Sequence, residues 1–221
     1  MKTFSIIIFS LTPFIFILSS CNGSSENNRR LETLPYYNSA EFTPRWMDSN
    51  SSELQSFHKI PEFSLINQDG NLVTEKTFEN KIYVTDFFFT FCSGICPKMT
   101  DNMGALQEEF KRDGSVLLLS HSVTPDHDTP DILKEYVDAR GVISGKWHLV
   151  TGDRQEIYDL GRMAYFVEED LGLEKKTDDF LQTENFVLID KNKHIRGIYN
   201  GLNKTAIAQL ITDIKTLKLA L

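Results

Sequence analysis

The segment that most constrains the fold is the strand-to-helix junction at residues 81–110, "KIYVTDFFFTFCSGICPKMTDNMGALQEEF". Residues 81–91 are rich in β-branched and aromatic side chains, which is typical of a buried strand. Pro97 suits the first turn of a following helix, because its missing N–H would have no intrahelical partner there. Four apolar residues then follow at helical spacing and share one helix face: Met99, Met103, Leu106 and Phe110.

Similar strand and helix patterns alternate through the rest of the chain. Asp69 and Gly70 mark a hairpin turn near its start, and a second hairpin closes the series. Hairpins are predicted at 63–74 and 184–201, strands at 115–123 and 146–152, helices at 128–141, 153–167 and 204–221, and a charged, loop-like insert at 168–180. This order predicts an α/β fold, with a mixed central β-sheet, helices on both faces and an extra N-terminal β-hairpin.

Composition agrees with a soluble globular domain and excludes one class of partner. Hydrophobic residues make up 41% of the 221 residues and charged residues 24%. The formal net charge is −8, which argues against a broad nucleic-acid-binding surface.

The N-terminus reads as an export signal. Lys2 precedes an uncharged apolar run that ends in Ser19, Ser20 and Cys21, and the ending resembles a bacterial lipobox. We therefore expect a lipoprotein-type signal peptide at 1–20, lipidation of Cys21, a polar lipidated tether at 21–57 and the compact domain at 58–221. The alternative is an uncleaved signal-anchor helix. The expected location is the cell envelope, with the domain lipid-anchored to a membrane and facing the periplasm or extracytoplasmic space.

Two cysteines remain for chemistry in such an exported domain. If the segment is helical, Cys92 and Cys96 lie one turn apart, about 6 Å between their Cα atoms. That spacing allows a disulfide, and it also lets both sulfurs chelate a soft metal. A position at the start of a helix lowers a thiol pKa, which favours both chemistries. A purely structural disulfide is the remaining possibility, although so small a loop would stabilise the fold little.

Beyond these patterns, the chain resembles the Sco/SenC family of copper-handling, thioredoxin-fold proteins over about residues 58–221. The similar segments are "HKIPEFSLINQDG", "TFCSGICPKMTDNM", "SHSVTPDHDTP", "KWHLVTG" and "FLQTENFVLIDKNKHIRGIYNG". The resemblance implies a thioredoxin-like fold and a membrane-tethered protein that helps mature the dinuclear copper site of cytochrome c oxidase. It would do so by delivering copper, by reducing the oxidase cysteines, or both. The implied partner is therefore the copper-site subunit of the oxidase or another copper or thiol protein.

Two positions depart from the family pattern. Gln182 stands at the position of the family's third copper ligand, a histidine, and an amide is a poor ligand for soft copper. Thr124 replaces an aspartate usual in the family. Met99 and Met103 are expected to pack in the core rather than bind metal. The five histidines are candidate substitutes for the missing ligand: His58 and His194 as surface residues, His121 and His148 in strands, and His127 in a loop.

Three functional interpretations stay open at this point. The first is a metallochaperone that binds copper, more readily as Cu(I) than Cu(II), through Cys92 and Cys96. The second is a thiol-disulfide oxidoreductase without a firm copper site. The third is a non-catalytic tethered binding or sensor domain that retains the cysteine pair.

Overall fold

The computed structural model describes residues 33–168, 180–181 and 183–219. Cys21, Gln182 and most of the predicted insert at 168–180 therefore lie outside the described residues. Within the described part, the strands are β1 (Ser64–Asn67), β2 (Leu72–Thr74), β3 (Ile82–Phe88), β4 (Val116–Ser122), β5 (Trp147–Thr151), β6 (Asn185–Ile189) and β7 (Ile195–Asn200). The α-helices are α1 (Ser52–Gln55), α2 (Cys96–Glu109), α3 (Pro130–Asp138), α4 (Arg154–Asp159) and α5 (Lys204–Leu219).

The strands form one mixed sheet in the order β2-β1-β5-β4-β3-β6-β7. β3, β4 and β5 run parallel, whereas β1 and β6 pair with them in the antiparallel sense. The predicted N-terminal hairpin forms between β1 and β2, where Gly70 adopts a positive φ of 73° that a side chain would oppose. β3 lies inside the sheet, which agrees with its being buried along its whole length.

Helices cover both faces of this sheet, as the alternation of elements predicts. On one face, α2, α3 and α5 pack over even-numbered residues of β3 such as Val84 and Phe88. On the other face, α4 and a π-helix (Leu160–Ala164) pack over odd-numbered residues such as Tyr83 and Phe87. The segment 153–167, predicted as one helix, thus consists of a short α-helix followed by a π-helix. The turn that joins β3 to α2 therefore lies between two well-packed layers.

Residues 34–57, called here the N-terminal strap, pack onto the domain, although the sequence predicts a tether over this range. Tyr36 and Phe57 are buried together with Leu54 in a small cluster. Tyr37 forms a β-bridge with Ile195, which adds chain to the outer edge of β7. Burial of these aromatic side chains holds the strap against the domain. The polar residues that flank them in the sequence give no indication of this packing.

Candidate functional site

The cysteine pair lies where β3 passes into α2, and both cysteines are free thiols. Cys96 is the first residue of α2 and is buried, whereas Cys92 is only partly buried. The spacing of the two cysteines is compatible with one helical turn, but the helix begins only at Cys96. Cys92 lies in the preceding turn, where its N–H donates to the carbonyl of Phe89 at 3.4 Å. The two thiols thus occupy different environments.

The Cys92 sulfur lies close to backbone donors at the start of α2. Partial burial would raise its pKa, but hydrogen bonds from the Cys96 thiol and from the N–H groups of Cys96, Gly94 and Ile95 outweigh that effect. The pKa of the Cys92 thiol therefore falls below its ordinary value. A partly exposed thiolate is both a nucleophile and a soft metal ligand.

Cys96 has the opposite character. Burial, together with its hydrogen bond to Cys92 and the nearby charges of Cys92 and Asp86, raises the pKa of this thiol to about 12. It therefore stays protonated at neutral pH while it donates to Cys92. This asymmetry suits a pair in which one thiol reacts first and the other follows.

A buried carboxyl group lies on the same sheet face as Cys96. Asp86 of β3 accepts a hydrogen bond from Ser120 at 2.5 Å, and Ser120 in turn accepts one from the Trp147 indole at 2.9 Å. Burial raises the pKa of Asp86 to about 7, although the hydrogen bond from Ser120 opposes the shift. Asp86 can therefore exchange its proton near neutral pH.

A second buried carboxylate joins the cysteine turn to the loop after β4. Asp128 has no exposed side-chain surface, and it accepts two hydrogen bonds from Thr90, from the N–H at 3.1 Å and from the hydroxyl at 2.5 Å. The other donors are the hydroxyls of Ser122 (2.6 Å) and Thr124 (3.1 Å) and Nδ1 of His127 (2.8 Å). Burial would raise the pKa of Asp128, but these bonds lower it below its ordinary value. We call Asp128 and its four donor residues the Asp128 cluster.

Aromatic side chains border the partly exposed thiol. Phe91, directly before Cys92, is 57% exposed, and its ring centroid lies 4.9 Å from that of Phe89 and 4.7 Å from that of His127. Phe180 contacts Phe89 from the far side at 5.4 Å. An aromatic cluster thus lies beside the turn that carries Cys92.

The histidines are placed differently from one another. His194, predicted as a surface residue, is buried because Nδ1 bonds the carbonyl of His58 at 2.8 Å and its ring packs on Tyr36. His121 and His148 are buried in their strands. In the described residues, no group of three or more His, Cys, Asp or Glu side chains could hold a metal ion.

The two methionines and Thr124 have clear structural roles. Met99 and Met103 are completely buried in the layer under α2, which confirms the expectation that they pack in the core. Thr124 donates its hydroxyl to Asp128, so the residue that departs from the family pattern belongs to the Asp128 cluster. Gln182 lies outside the described residues, and its role as the position of the third ligand stays a prediction.

The sequence model of SCO1/SenC proteins matches residues 51–218, most of the chain. The chain belongs to the SCO1/SenC family. The family resemblance seen in the sequence is therefore confirmed, and the predicted thioredoxin-like fold is confirmed by structural neighbours from the same family.

Three solved Sco structures are similar to this SCO1/SenC protein. A SCO1/SenC family lipoprotein from Bacillus anthracis is 31% identical, with a TM-score of 0.64 over 73% of this chain and 95% of that chain. BsSco, described with a disulfide switch and as a member of the Sco family of cytochrome c oxidase assembly proteins, is 27% identical, with a TM-score of 0.61 over 72% and 93%. Copper-bound ScoI from Arabidopsis thaliana is also 27% identical, with a TM-score of 0.55 over 71% and 98%.

The two cysteines are recognisable in the sequence as a candidate site, whereas the carboxylates Asp86 and Asp128 were not predicted to belong to it. Asp86 is one polar residue within a strongly apolar strand, and this contrast was an available signal. Asp128 sits in "TPDHDTP", a segment that also reads as an ordinary helix cap because Thr129 caps α3. Its contacts with Thr90 join residues 38 positions apart, and no local pattern indicates such a pairing.

Proposed function

We propose that this SCO1/SenC protein binds copper as cargo through Cys92 and Cys96 and assists maturation of the dinuclear copper site of cytochrome c oxidase. The observation that carries the proposal is the placement of a partly buried thiol, Cys92, in the turn that leads directly to a buried thiol, Cys96, at the first residue of α2. The copper-bound relative and the relative assigned to oxidase assembly support the same conclusion.

The donor set fits soft monovalent copper. Thiolate sulfur selects Cu(I) over harder cations, and two cysteines four residues apart around the start of α2 supply two such ligands. Binding releases the Cys96 proton, so affinity rises with pH. Cu(II) gains more from an imidazole nitrogen, which Gln182 cannot supply if it occupies the position of the family's histidine.

Thiol-disulfide exchange is the second candidate, favoured by the difference between the two thiol pKa values. The Cys92 thiolate would attack a disulfide of the target, forming a mixed disulfide and releasing one target thiolate, which takes up a proton. Cys96 would then lose its proton and attack the Cys92 sulfur, releasing the second target thiol. Two electrons pass to the target, a Cys92–Cys96 disulfide forms, and an external dithiol must reduce it for the next cycle.

An anaerobic copper titration of the reduced domain tests the proposal. The native protein should bind one Cu(I), and Cys92→Ser and Cys96→Ser should each lose affinity by more than the roughly 10–100-fold typical of second-shell changes. Met103→Leu, which alters only the core, is the matched control. No Cu(I) binding by the native protein, together with reduction of a target disulfide, would favour the second candidate. Full biological activity of a cysteine-free variant would favour a non-catalytic domain.

Restoring the family's histidine gives a second test. Gln182→His should strengthen Cu(II) binding and produce a thiolate-to-copper charge-transfer band, while Cu(I) binding changes less. Equal Cu(II) affinity in both forms would contradict the placement of Gln182 at the ligand position.

We also propose membrane attachment through lipidated Cys21. In the described residues no helix is long and apolar enough to cross a membrane, and the B. anthracis relative is described as a lipoprotein. Cys21→Ala should therefore leave an uncleaved or soluble product. Processing and membrane attachment that survive this change would contradict the lipid anchor.

A further inference from the structure

We propose that Asp128 is a positioning residue for the cysteine pair: by holding Thr90, it fixes the turn that carries Cys92 and stabilises the dithiol form relative to the disulfide. This inference rests on the proposed function, because it assumes that the pair reacts. It assigns a role to a carboxylate that would contact neither copper nor a target protein.

Thr90 lies where the chain leaves the sheet and turns toward the cysteines. β3 and β4 remain paired up to Phe88 and Ser122, and the N–H of Val123 still donates to the carbonyl of Phe88 at 2.9 Å. Beyond that point the strands separate. Thr90 is two residues before Cys92, and both its N–H and its hydroxyl bind Asp128. Asp128 thus fastens the chain inside the turn that runs from Phe89 to Cys92.

Both oxygens of the Asp128 carboxylate accept more than one hydrogen bond. Asp128 Oδ1 accepts from the Thr90 hydroxyl and His127, whereas Oδ2 accepts from the Thr90 N–H, Ser122 and Thr124. Three of these residues belong to β4 and the loop that follows it, which α3 and the sheet hold in place. A buried carboxylate so surrounded has one well-defined position, and it transfers that position to Thr90.

The clamp formed by Asp128 and Thr90 bears on the balance between the two redox states. Both cysteines are free thiols while Asp128 holds Thr90. A disulfide brings the two sulfurs within about 2.05 Å, and a fixed Thr90 limits how far the turn can adjust to reach that distance. Loss of the clamp should therefore make disulfide formation easier.

The matched control is Asp190, a buried carboxylate at the other end of β3. It accepts hydrogen bonds from the N–H groups of Asn192 (2.9 Å) and His194 (3.0 Å) and from Arg196 (2.9 Å). Its neighbour Ile189 pairs with Tyr83, near the start of β3, whereas the cysteines follow its end. Asp190→Asn should lower stability without affecting the thiols.

The experiment equilibrates each folded variant with glutathione and measures the fraction of protein disulfide. Two glutathione thiols supply two electrons and two protons to the protein disulfide and become glutathione disulfide. Asp128→Asn and Thr90→Val should shift the equilibrium constant about tenfold toward the protein disulfide, equivalent to about 30 mV. Thr90→Ser, which keeps the hydroxyl, should stay near the native value, as should Asp190→Asn. Thr90→Val decides the question if Asp128→Asn does not fold.

A second readout separates the inference from the proposed function. The rate at which iodoacetamide alkylates Cys92 requires neither copper nor a disulfide, and it should change at least threefold in Thr90→Val but not in Thr90→Ser. If the native pair forms no disulfide with glutathione, the redox part of the proposed function fails, and alkylation alone tests the clamp. Unchanged equilibrium constant and alkylation rate in Thr90→Val would overturn the clamp, as would an equal shift in Asp190→Asn.

Discussion

The two ends of β3 are held by different chemistry. Beyond its C-terminal end, the Asp128 cluster holds the cysteine turn through hydroxyl, amide and imidazole groups, and Phe91 projects into solvent. Near its N-terminal end, Arg196 makes an ion pair with Asp190, donates to the carbonyls of Leu34 and Pro35, and stacks on the Tyr36 ring at 3.8 Å. One end carries the candidate cysteine pair, and the other fixes the strap.

One strand thus serves both purposes. The Asp128 cluster restrains the backbone turn at Thr90, whereas the Cys92 thiol itself is only partly buried and stays accessible to a reaction partner. A planar guanidinium engaged on several sides cannot rearrange without losing several interactions at once. Substitutions at the Arg196 end should therefore change stability, whereas substitutions at the cysteine end should change reactivity.

The largest expected effect is at Arg196. Arg196→Met leaves the buried Asp190 carboxylate without its partner and should reduce the free energy of unfolding by about 3–5 kcal/mol. Urea unfolding measures the loss. Arg196→Lys keeps the positive charge but not the planar array of N–H donors, and its free energy of unfolding should fall by less. Alkylation of Cys92 in the folded variant should match the native rate. A loss below about 1 kcal/mol would show that the Arg196 end does not hold the fold as described.

The next effect concerns pH and Asp86. Because its pKa is raised to about 7 in the folded protein, folding takes up a proton at pH values where the unfolded chain has lost one. As the pH rises from the pKa of Asp86 in the unfolded chain to its pKa in the folded protein, the free energy of unfolding should therefore fall by about 1.4 kcal/mol per pH unit. Asp86→Asn cannot titrate and should gain about 3 kcal/mol over the native protein between pH 4.5 and 7.5.

The comparison of Asp86→Asn with the native protein must be made at each pH. His121 has its pKa lowered to about 3 by burial, and it contributes an opposite slope that is common to both proteins. Only the difference in unfolding free energy isolates Asp86. Parallel stability profiles for the two proteins would show that this carboxyl keeps an ordinary pKa.

A smaller effect separates the two thiols. At pH 7–8 and under reducing conditions, Cys92 should be alkylated at least about tenfold faster than Cys96, because only its thiolate is favoured. Peptide mapping after partial alkylation gives both rates. In concentrated guanidinium chloride the rates should become similar. Equal rates in the folded protein would remove the asymmetry that favours thiol-disulfide exchange.

The smallest effects compare one aromatic residue from each end. Tyr36→Leu removes the stack on Arg196 and should cost about 1 kcal/mol beyond the change in packing. Phe91→Ser, at an exposed site, should change the free energy of unfolding by no more than about 0.5 kcal/mol. A larger loss for Phe91→Ser than for Tyr36→Leu in urea unfolding would reverse the proposed division between the two ends.

Sequence patterns predict the domain well because most of its elements are locally encoded. β3 shows an apolar run and α2 a regular stripe, and the hairpin turn at Gly70 uses a residue that tolerates positive φ. The π-helix at Leu160–Ala164 was missed because its apolar pattern resembles that of an α-helix. The strap was missed because Tyr36 and Phe57 acquire partners only through tertiary contacts.

The candidate site is predictable only in part for the same reason. Cys92 and Cys96 are recognisable from their spacing and flanking residues. Their unequal pKa values depend on burial and on which N–H groups point at each sulfur, and neither quantity is written in the local sequence. The contact between Asp128 and Thr90 exists only in the folded protein, where pairing of β4 with β3 brings the loop after β4 to the cysteine turn.

The strap determines the direction from which any upstream segment approaches the domain. Leu34 and Pro35 are fixed to Arg196 near the start of β3, whereas Cys92 lies beyond its end. Seven strand residues separate the two places by about 20 Å. A chain upstream of Leu34 therefore leaves the domain at the end opposite the thiols, so its point of departure does not cover the approach to Cys92.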